Sequence, residues 1–193
     1  KKTLSVDELQ YIAKVINYSY DPFNTDDNLW DMLSAFFAPK LINKYKNKML
    51  AHEAINDILL HFYPGERIIK YYLIKEFLNR QEEITLFEMY ISKSRLDVGR
   101  INGESYAYEI KTNLDNLNRL SKQVNDYGKA FEHVNVIADK MHISDIEELL
   151  PEYCGIITYE LNENSCSFFT IRTASKSPNM SSEVQLGCLS SKD

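Results

Sequence analysis

The amino-acid sequence predicts a mixed α/β protein with a central β-sheet preceded by helices. Apolar residues recur at helical spacing early in the chain, first over residues 6–18. Asn102-Gly103 separates two β-like runs, which is the strongest short-range hairpin signal in the chain. A polar helical stretch and the apolar run 134–138 follow, the order expected of a βαβ crossover with parallel strands.

The composition is that of one domain with a full core and an added lobe. The chain has 193 residues, of which 44% are hydrophobic and 26% charged. No apolar run approaches the ~20 residues of a membrane span, and residues 1–7 lack the apolar centre of a signal peptide. The three cysteines have no metal-like spacing, and an odd number argues against a disulfide framework. We therefore expect a soluble, cytoplasmic protein.

Two helices are predicted to form an amino-terminal lobe over residues 1–39. The first has Ser5 as its N-cap and Glu8 three residues further on, the spacing of a capping box. The second begins near Asp27 and is interrupted by Pro39, because proline lacks the backbone N–H that a helix interior needs.

The main domain is placed at residues 40–173, ahead of a tail at residues 174–193. A long helix is predicted over residues 40–63, and residues 66–78 suit either a strand or a short helix. The later elements are predicted as strands at residues 84–91, 96–101, 105–112, 134–138, 155–161 and 168–172, and as helices at residues 115–131 and 144–150. The tail is rich in serine, lysine and asparagine, and much of it is expected to be flexible.

Charged residues at the predicted hairpin form a candidate metal site. Side chains alternate along a strand, so Glu109 and Lys111 point the same way while Ile110 turns back into the core. If the hairpin brings Asp97 alongside, two carboxylates can hold a divalent cation through oxygen ligands. The lysine can then orient a water molecule or stabilise a phosphate.

The register of the hairpin decides whether these groups share a face. A two-residue turn at Asn102-Gly103 sets Asp97 opposite Tyr108, and Asp97 then points away from Glu109. A three-residue loop with its glycine in the left-handed conformation sets Asp97 opposite Ala107, on the same face as Glu109. A shared site therefore predicts a bulged or longer turn, or an irregularity beside Asp97.

The combination of Asp97, Glu109-x-Lys111 and the later Gln123-x-x-x-Tyr127 resembles the PD-(D/E)XK nuclease superfamily, and the last motif resembles its RecB-type branch. The amino-acid sequence of the same stretch also resembles a group of small, uncharacterised bacterial proteins assigned to that superfamily. The likeness covers roughly residues 50 to 140. It implies a restriction-endonuclease-like mixed β-sheet flanked by helices.

The resemblance also implies roles for these residues. Mg²⁺ or Mn²⁺ would be held by Asp97, Glu109 and the backbone carbonyl of Ile110, and Lys111 would align the attacking water. Gln123 and Tyr127 are four residues apart and neighbours on one helix. By the resemblance they lie close to the active site and help to hold Lys111 or the substrate strand.

A third acid is expected on the helix that precedes the sheet, where nucleases of this superfamily often carry one. Glu53 fits that role, acting on the metal through water, and Asp57 is the substitute one turn later on the same face. A surface ion pair of Glu53 with Lys46 or His52 is the alternative.

The net charge of -6 argues against a broad basic surface for nucleic acid. Metal-holding acids add negative charge themselves, however, and binding needs only a local basic stripe. The candidate basic residues are Lys40, Lys44, Lys46, Lys48, Arg119, Lys122 and Lys129. A solvated helix face balanced by Asp115 and Asp126 explains any one of them at least as well. We assign Arg119 and Lys122 to substrate binding.

These observations favour a metal-dependent nuclease that hydrolyses phosphodiester bonds in nucleic acid, with DNA favoured over RNA. One alternative is a catalytically silent binding module with the nuclease fold, which acts through a nucleic-acid or protein partner. Another is a soluble α/β protein in which Glu109 and Lys111 form an exposed pair on an edge strand. Cutting both strands of a duplex with a one-site domain would favour a homodimer.

Overall fold

The first part of the chain is helical, and the second part contains a β-sheet with helices packed on it. A computed structural model describes residues 4–21, 24–77, 84–162 and 165–190. It divides the chain into two units, Lys1–Ile68 and Ile69–Asp193. The boundary therefore lies well beyond the end predicted for the amino-terminal lobe at residue 39.

The first unit is built from helices that pack on one another. Its elements are α1 (Val6–Ser19), α2 (Asp26–Ser34), α3 (Pro39–Lys46) and α4 (Ala51–Phe62), and α5 (Glu66–Phe77) crosses the boundary between the units. Helix α4 packs against α1 and α2, and for this reason residues 40–63 belong with the lobe. The predicted helix over residues 40–63 is interrupted between α3 and α4. The predicted capping box is confirmed, since Ser5 and Glu8 each accept a hydrogen bond from the other's backbone N–H.

The second unit contains a mixed β-sheet. Its strands are β1 (Ile84–Phe87), β4 (Val98–Asn102), β5 (Glu104–Lys111), β6 (His133–Ala138), β7 (Gly155–Asn162) and β8 (Ser165–Arg172). In the described residues the order across the sheet is β1-β4-β5-β6-β7-β8. Strand β6 pairs in parallel with β5 and β7, and the other neighbours are antiparallel. The predicted βαβ crossover between β5 and β6 is confirmed.

Helices cover both faces of this sheet. On one face, α6 (Leu120–Tyr127), α7 (Ile143–Leu149) and α8 (Ser182–Ser190) pack on apolar residues of the strands. On the other face, Ile69 and Leu73 of α5 pack on Tyr108, Ile110 and Ile137. The α/β class with a helical region at the amino end is thus confirmed. Every helix of the described residues is too short or too polar to cross a lipid bilayer.

The predicted strand over residues 84–91 is broken in the structure. Strand β1 ends at Phe87, and Glu88 then adopts the left-handed conformation with a φ of 52°. A small hairpin follows, formed by β2 (Tyr90–Ile91) and β3 (Ser94–Arg95) around Ser92, whose φ is 55°. This β2–β3 hairpin, which the sequence analysis did not predict, packs against α6.

Two other stretches differ from the prediction. Residues 66–77 form a helix, and residue 78 lies outside the described residues. The helix predicted over residues 115–131 is confined to α6, because side chains ahead of it bind backbone N–H groups in turns: Asp115 accepts from Thr112, and Asn116 from Asn118.

The tail, predicted to be flexible, is bound to the second unit as far as the structure describes it. The Ser177 hydroxyl donates to the carbonyl of Gly128 at 2.6 Å, and its N–H donates to the carbonyl of Glu132 at 2.7 Å. Helix α8 follows and packs Val184 and Cys188 against the core. Cys188 is accordingly half-buried. Residues 191–193 lie outside the described residues.

Candidate functional site

The β4–β5 hairpin brings Asp97 to the same face as Glu109, by a tighter turn than either register considered from the sequence. Val98 pairs with Tyr108, and the ladder continues to Asn102 opposite Glu104. Gly103 lies between that last pair with a φ of 70°, a conformation that glycine adopts without strain. Continued by one residue, this register sets Asp97 directly opposite Glu109. The two-residue turn that would separate the acids is therefore not formed.

Asp97, Glu109 and Lys111 lie together at the end of the β4–β5 ladder. Their exposed fractions are 7%, 1% and 7%, so all three charged groups are largely removed from water. The Asp97 carboxylate accepts a hydrogen bond from the N–H of Ile110 at 2.7 Å. Buried charges are stable only when paired or hydrogen-bonded, and this site satisfies that condition through the contacts described below.

Both carboxylate oxygens of Glu109 accept hydrogen bonds from protein donors. Oε1 lies 2.5 Å from Nζ of Lys111 and 2.5 Å from Nε2 of Gln123, and Oε2 lies 2.7 Å from the hydroxyl of Tyr127. Gln123 and Tyr127 therefore both form hydrogen bonds to Glu109. The Gln123 amide oxygen is buried and has no hydrogen-bond partner in the described residues.

Tyr127 connects Glu109 to the β2–β3 hairpin. Its hydroxyl lies 2.7 Å from the Glu109 carboxylate and 2.7 Å from the carbonyl oxygen of Arg95. Burial, followed by the charge of Glu109, raises the pKa of Tyr127 well above its usual range. The phenol is thus a neutral donor, and its ring is fully buried in the core below α6.

Lys122 ties α6 to β3. Its Nζ lies 2.6 Å from Asp126 and 3.1 Å from the hydroxyl of Ser94, which itself donates to Asp126 at 2.7 Å. Burial raises the pKa of Asp126, but the hydrogen bonds from Lys122 and Ser94 outweigh it and leave that pKa below its usual value. Arg119 is exposed at the position just before α6.

Glu53 has a local role in the first unit. Its carboxylate accepts a hydrogen bond from the N–H of Leu50 at 2.8 Å and so caps α4. Neither the Lys46 nor the His52 pairing is seen: Lys46 binds Asp27, and the His52 ring is bonded to Tyr20. The helix immediately before the sheet along the chain is α5, which begins at Glu66, so the premise that favoured Glu53 does not hold.

Glu88 is a further acid near the site, and it was not predicted from the sequence. It forms ion pairs with Lys70 and with Nε of Arg95, the latter at 2.9 Å. Its carboxylate comes within 4.8 Å of that of Asp97. The only signal in the sequence is an acid within an apolar run that otherwise suits a strand. Its left-handed backbone, unusual for a glutamate, is invisible in such a pattern.

The oxygen atoms at this end of β5 suit a hard divalent cation. The N–H and carbonyl of a strand residue point to the same edge, so the carbonyl of Ile110 faces the side of Asp97. The β4–β5 ladder ends at Val98, before it reaches this carbonyl. The N–H of Leu96, further back along the chain, donates to the carbonyl of Met89. Two carboxylates and one carbonyl are the ligand types that Mg²⁺ and Mn²⁺ prefer. The chemistry of the donor set therefore fits such an ion.

The fold and site define a mixed α/β protein with two carboxylates and a lysine buried at the end of a central strand. A family profile described as "Bacteriophage P4 protein cII" matches residues 65–193, about two thirds of the chain. The chain belongs to this family.

A curated relative is "Protein cII" of Enterobacteria phage P4, 27% identical over 95 residues. That alignment covers 49% of this chain and 36% of the relative, so the chain spans about a third of the length of the curated relative it matches. No solved structure matches the chain.

Proposed function

We propose that the chain is a metal-dependent nuclease that hydrolyses phosphodiester bonds in nucleic acid, with DNA favoured over RNA, in the cytoplasm. The observation that carries the proposal is the position of Asp97 opposite Glu109, with Lys111 on the same face of β5. The three residue types match the catalytic set implied by the PD-(D/E)XK resemblance. The hydrogen bonds of Gln123 and Tyr127 to Glu109 extend that match to the second motif.

Asp97, Glu109 and the carbonyl of Ile110 would hold Mg²⁺ or Mn²⁺. When bound, such an ion offsets the negative charge on a phosphodiester that is being hydrolysed. The chain's own part is to fix the two acids: Asp97 through the N–H of Ile110, and Glu109 through Gln123 and Tyr127. Fixed acids lose little freedom on reaction, which is how preorganised sites lower a barrier.

Lys111 supplies a positive charge beside the acids. Its Nζ is held 2.5 Å from Glu109 and its side chain is only 9% exposed, so the charged group is both oriented and poorly solvated. A cation in that position can align a water molecule or stabilise the charge that develops on the pentacovalent phosphorus. It does not have to lose its proton to do either.

One observation favours the second candidate, a catalytically silent binding module. Lys111, Gln123 and Tyr127 already donate to both oxygens of Glu109. The acid is thus satisfied by the protein's own groups, as it would be in a purely structural ion pair.

The test is cleavage of single-stranded and duplex DNA and RNA in Mg²⁺ and in Mn²⁺. Wild type is compared with Asp97→Asn, which keeps an acceptor for the Ile110 N–H, and with Lys111→Met, after thermal unfolding shows each variant folded. Lys14→Ala, an exposed lysine on α1, is the control. We expect cleavage by wild type and the control and its loss in the two site variants.

Cleavage that survives both site substitutions would contradict the proposal. Absence of cleavage by wild type, together with absence of Mg²⁺ and Mn²⁺ binding in calorimetry, would instead favour the binding module.

A further inference from the structure

We infer that the β2–β3 hairpin is a stacking platform for one unpaired base, so that the substrate class is a single strand of nucleic acid. This inference deepens the proposed function and rests on it for the identity of the ligand.

The hairpin has a buried face and an exposed face. Ile91 pairs with Ser94 and Tyr90 pairs with Arg95, and directly opposed residues share a face of the ribbon. Ile91 and Ser94 are 0% and 5% exposed, whereas Tyr90 is 65% exposed and the Arg95 side chain 58%. The outer face thus presents an aromatic ring beside a guanidinium group, both open to solvent.

This exposed face adjoins the candidate active site. The Tyr127 hydroxyl donates to the carbonyl oxygen of Arg95 and to the carboxylate of Glu109, at 2.7 Å in each case. The Arg95 side chain forms an ion pair with Glu88. The Glu88 carboxylate in turn comes within 4.8 Å of the Asp97 carboxylate. One residue of the hairpin is therefore connected to both acids of the site, through its backbone and through its side chain.

Two cations lie on the hairpin with the exposed tyrosine. Lys93 is exposed at the hairpin turn, and Arg95, which also pairs with Glu88, lies directly opposite Tyr90. The outer face of the hairpin is thus locally basic on a chain whose net charge is -6. Phosphates on either side of a stacked base would meet these groups.

The chemistry selects a single strand over a duplex. An isolated exposed tyrosine is ordinary on a protein surface, but a ring opposite an arginine, beside the proposed phosphodiester-cleaving site, matches the aromatic and basic surfaces that bind single strands. Stacking on a side chain requires a base whose own face is free, and paired bases in a duplex are covered by their neighbours.

The experiment uses the Asp97→Asn variant of the 193-residue chain in Mg²⁺, with labelled single-stranded DNA and RNA and the matching duplexes, followed by fluorescence anisotropy. In that background Tyr90→Ala is expected to weaken single-strand binding about tenfold or more, while Tyr90→Trp retains it. Tyr11→Ala is the matched control, since Tyr11 is 68% exposed on α1. The Tyr11→Ala control is expected to bind the single strands as tightly as its parent. A single strand carrying 2-aminopurine adds a direct signal, because quenching of its fluorescence reports stacking and should disappear in Tyr90→Ala.

The inference is overturned if Tyr90→Ala binds single strands as tightly as its parent, if it loses single strands and duplex equally, or if no oligonucleotide binds. Its failure is distinguishable from that of the proposed function. Cleavage by wild type with no effect of Tyr90→Ala removes the platform and leaves the nuclease. Tyr90-dependent single-strand binding without any cleavage by wild type keeps the platform and removes the nuclease.

Discussion

Asp97 lies opposite Glu109 across a hairpin whose last strand pair is separated by a single residue, Gly103. The relationship depends on the left-handed conformation of that glycine, and it decides on which face of the sheet the first acid points.

Replacing Gly103 with alanine should lower the free energy of unfolding by about 1 kcal/mol, because a Cβ atom is strained at positive φ. Gly187→Ala is the matched control: both glycines have open space where a Cβ would lie, but Gly187 sits in α8 without a positive φ. There the change should be neutral or stabilising by up to about 1 kcal/mol. Urea denaturation measures both, and an equal effect at the two positions would contradict the strain argument.

Removing the Tyr127 hydroxyl should destabilise the protein out of proportion to its size. Tyr127→Phe leaves a buried carboxylate and the carbonyl of Arg95 without a shared donor, which costs about 1–3 kcal/mol. Tyr106→Phe removes a hydroxyl bonded to the more exposed Glu104 and should cost less than about 1 kcal/mol. Denaturation curves of the two variants make the comparison. Equal losses of unfolding free energy in the two variants would mean that the buried contact with Glu109 contributes no more than the exposed one with Glu104.

Lys111→Met should be strongly destabilising by itself and much less so in combination. Alone it leaves the buried Glu109 carboxyl group without its cation, at a cost of about 3–5 kcal/mol. Adding Glu109→Gln removes the stranded charge and should recover most of that loss. A double-mutant cycle by chemical denaturation tests this coupling. Additive effects would show that the two side chains do not form the pair described here.

Asp126 should make stability fall in acid. Its pKa is held below the unfolded value of about 4, so the stabilisation is present above that value and is lost as the pH falls through the lower folded-state pKa. Asp126→Asn should therefore be less stable than wild type at pH 7 and show a shallower decline below about pH 4. Thermal unfolding between pH 2 and pH 7 measures this. Parallel curves for the two proteins would refute the assignment.

Local patterns in the sequence were enough to predict the elements whose signals are themselves local. The alternation around Ile110 placed Glu109 and Lys111 on one face, and the apolar run at residues 134–138 gave the parallel strand beside them. The spacing of Gln123 and Tyr127 on one helix likewise follows from sequence alone, and both do reach Glu109.

Features that depend on one residue or on distant partners were not predictable in this way. The register at Gly103 differs from both alternatives considered from the sequence. It was not predictable because turns that differ by one residue have almost the same composition. Helix α6 starts late because Asp115 bonds the backbone of Thr112 instead of continuing the helix. The bound tail owes its order to Ser177, whose partners lie far away along the chain.

The turn at Gly103 also bears on how relatives of this chain should be compared. Directly opposed residues share a face of the sheet, so the number of residues between Asp97 and Glu109 is constrained. It can change by two and keep both acids on one face, whereas a change of one separates them unless a bulge compensates. A relative that keeps both acids and the lysine but carries one extra turn residue would place its first acid on the wrong face. Alignment gaps at this position are thus a sharper guide to a shared site than residue identity.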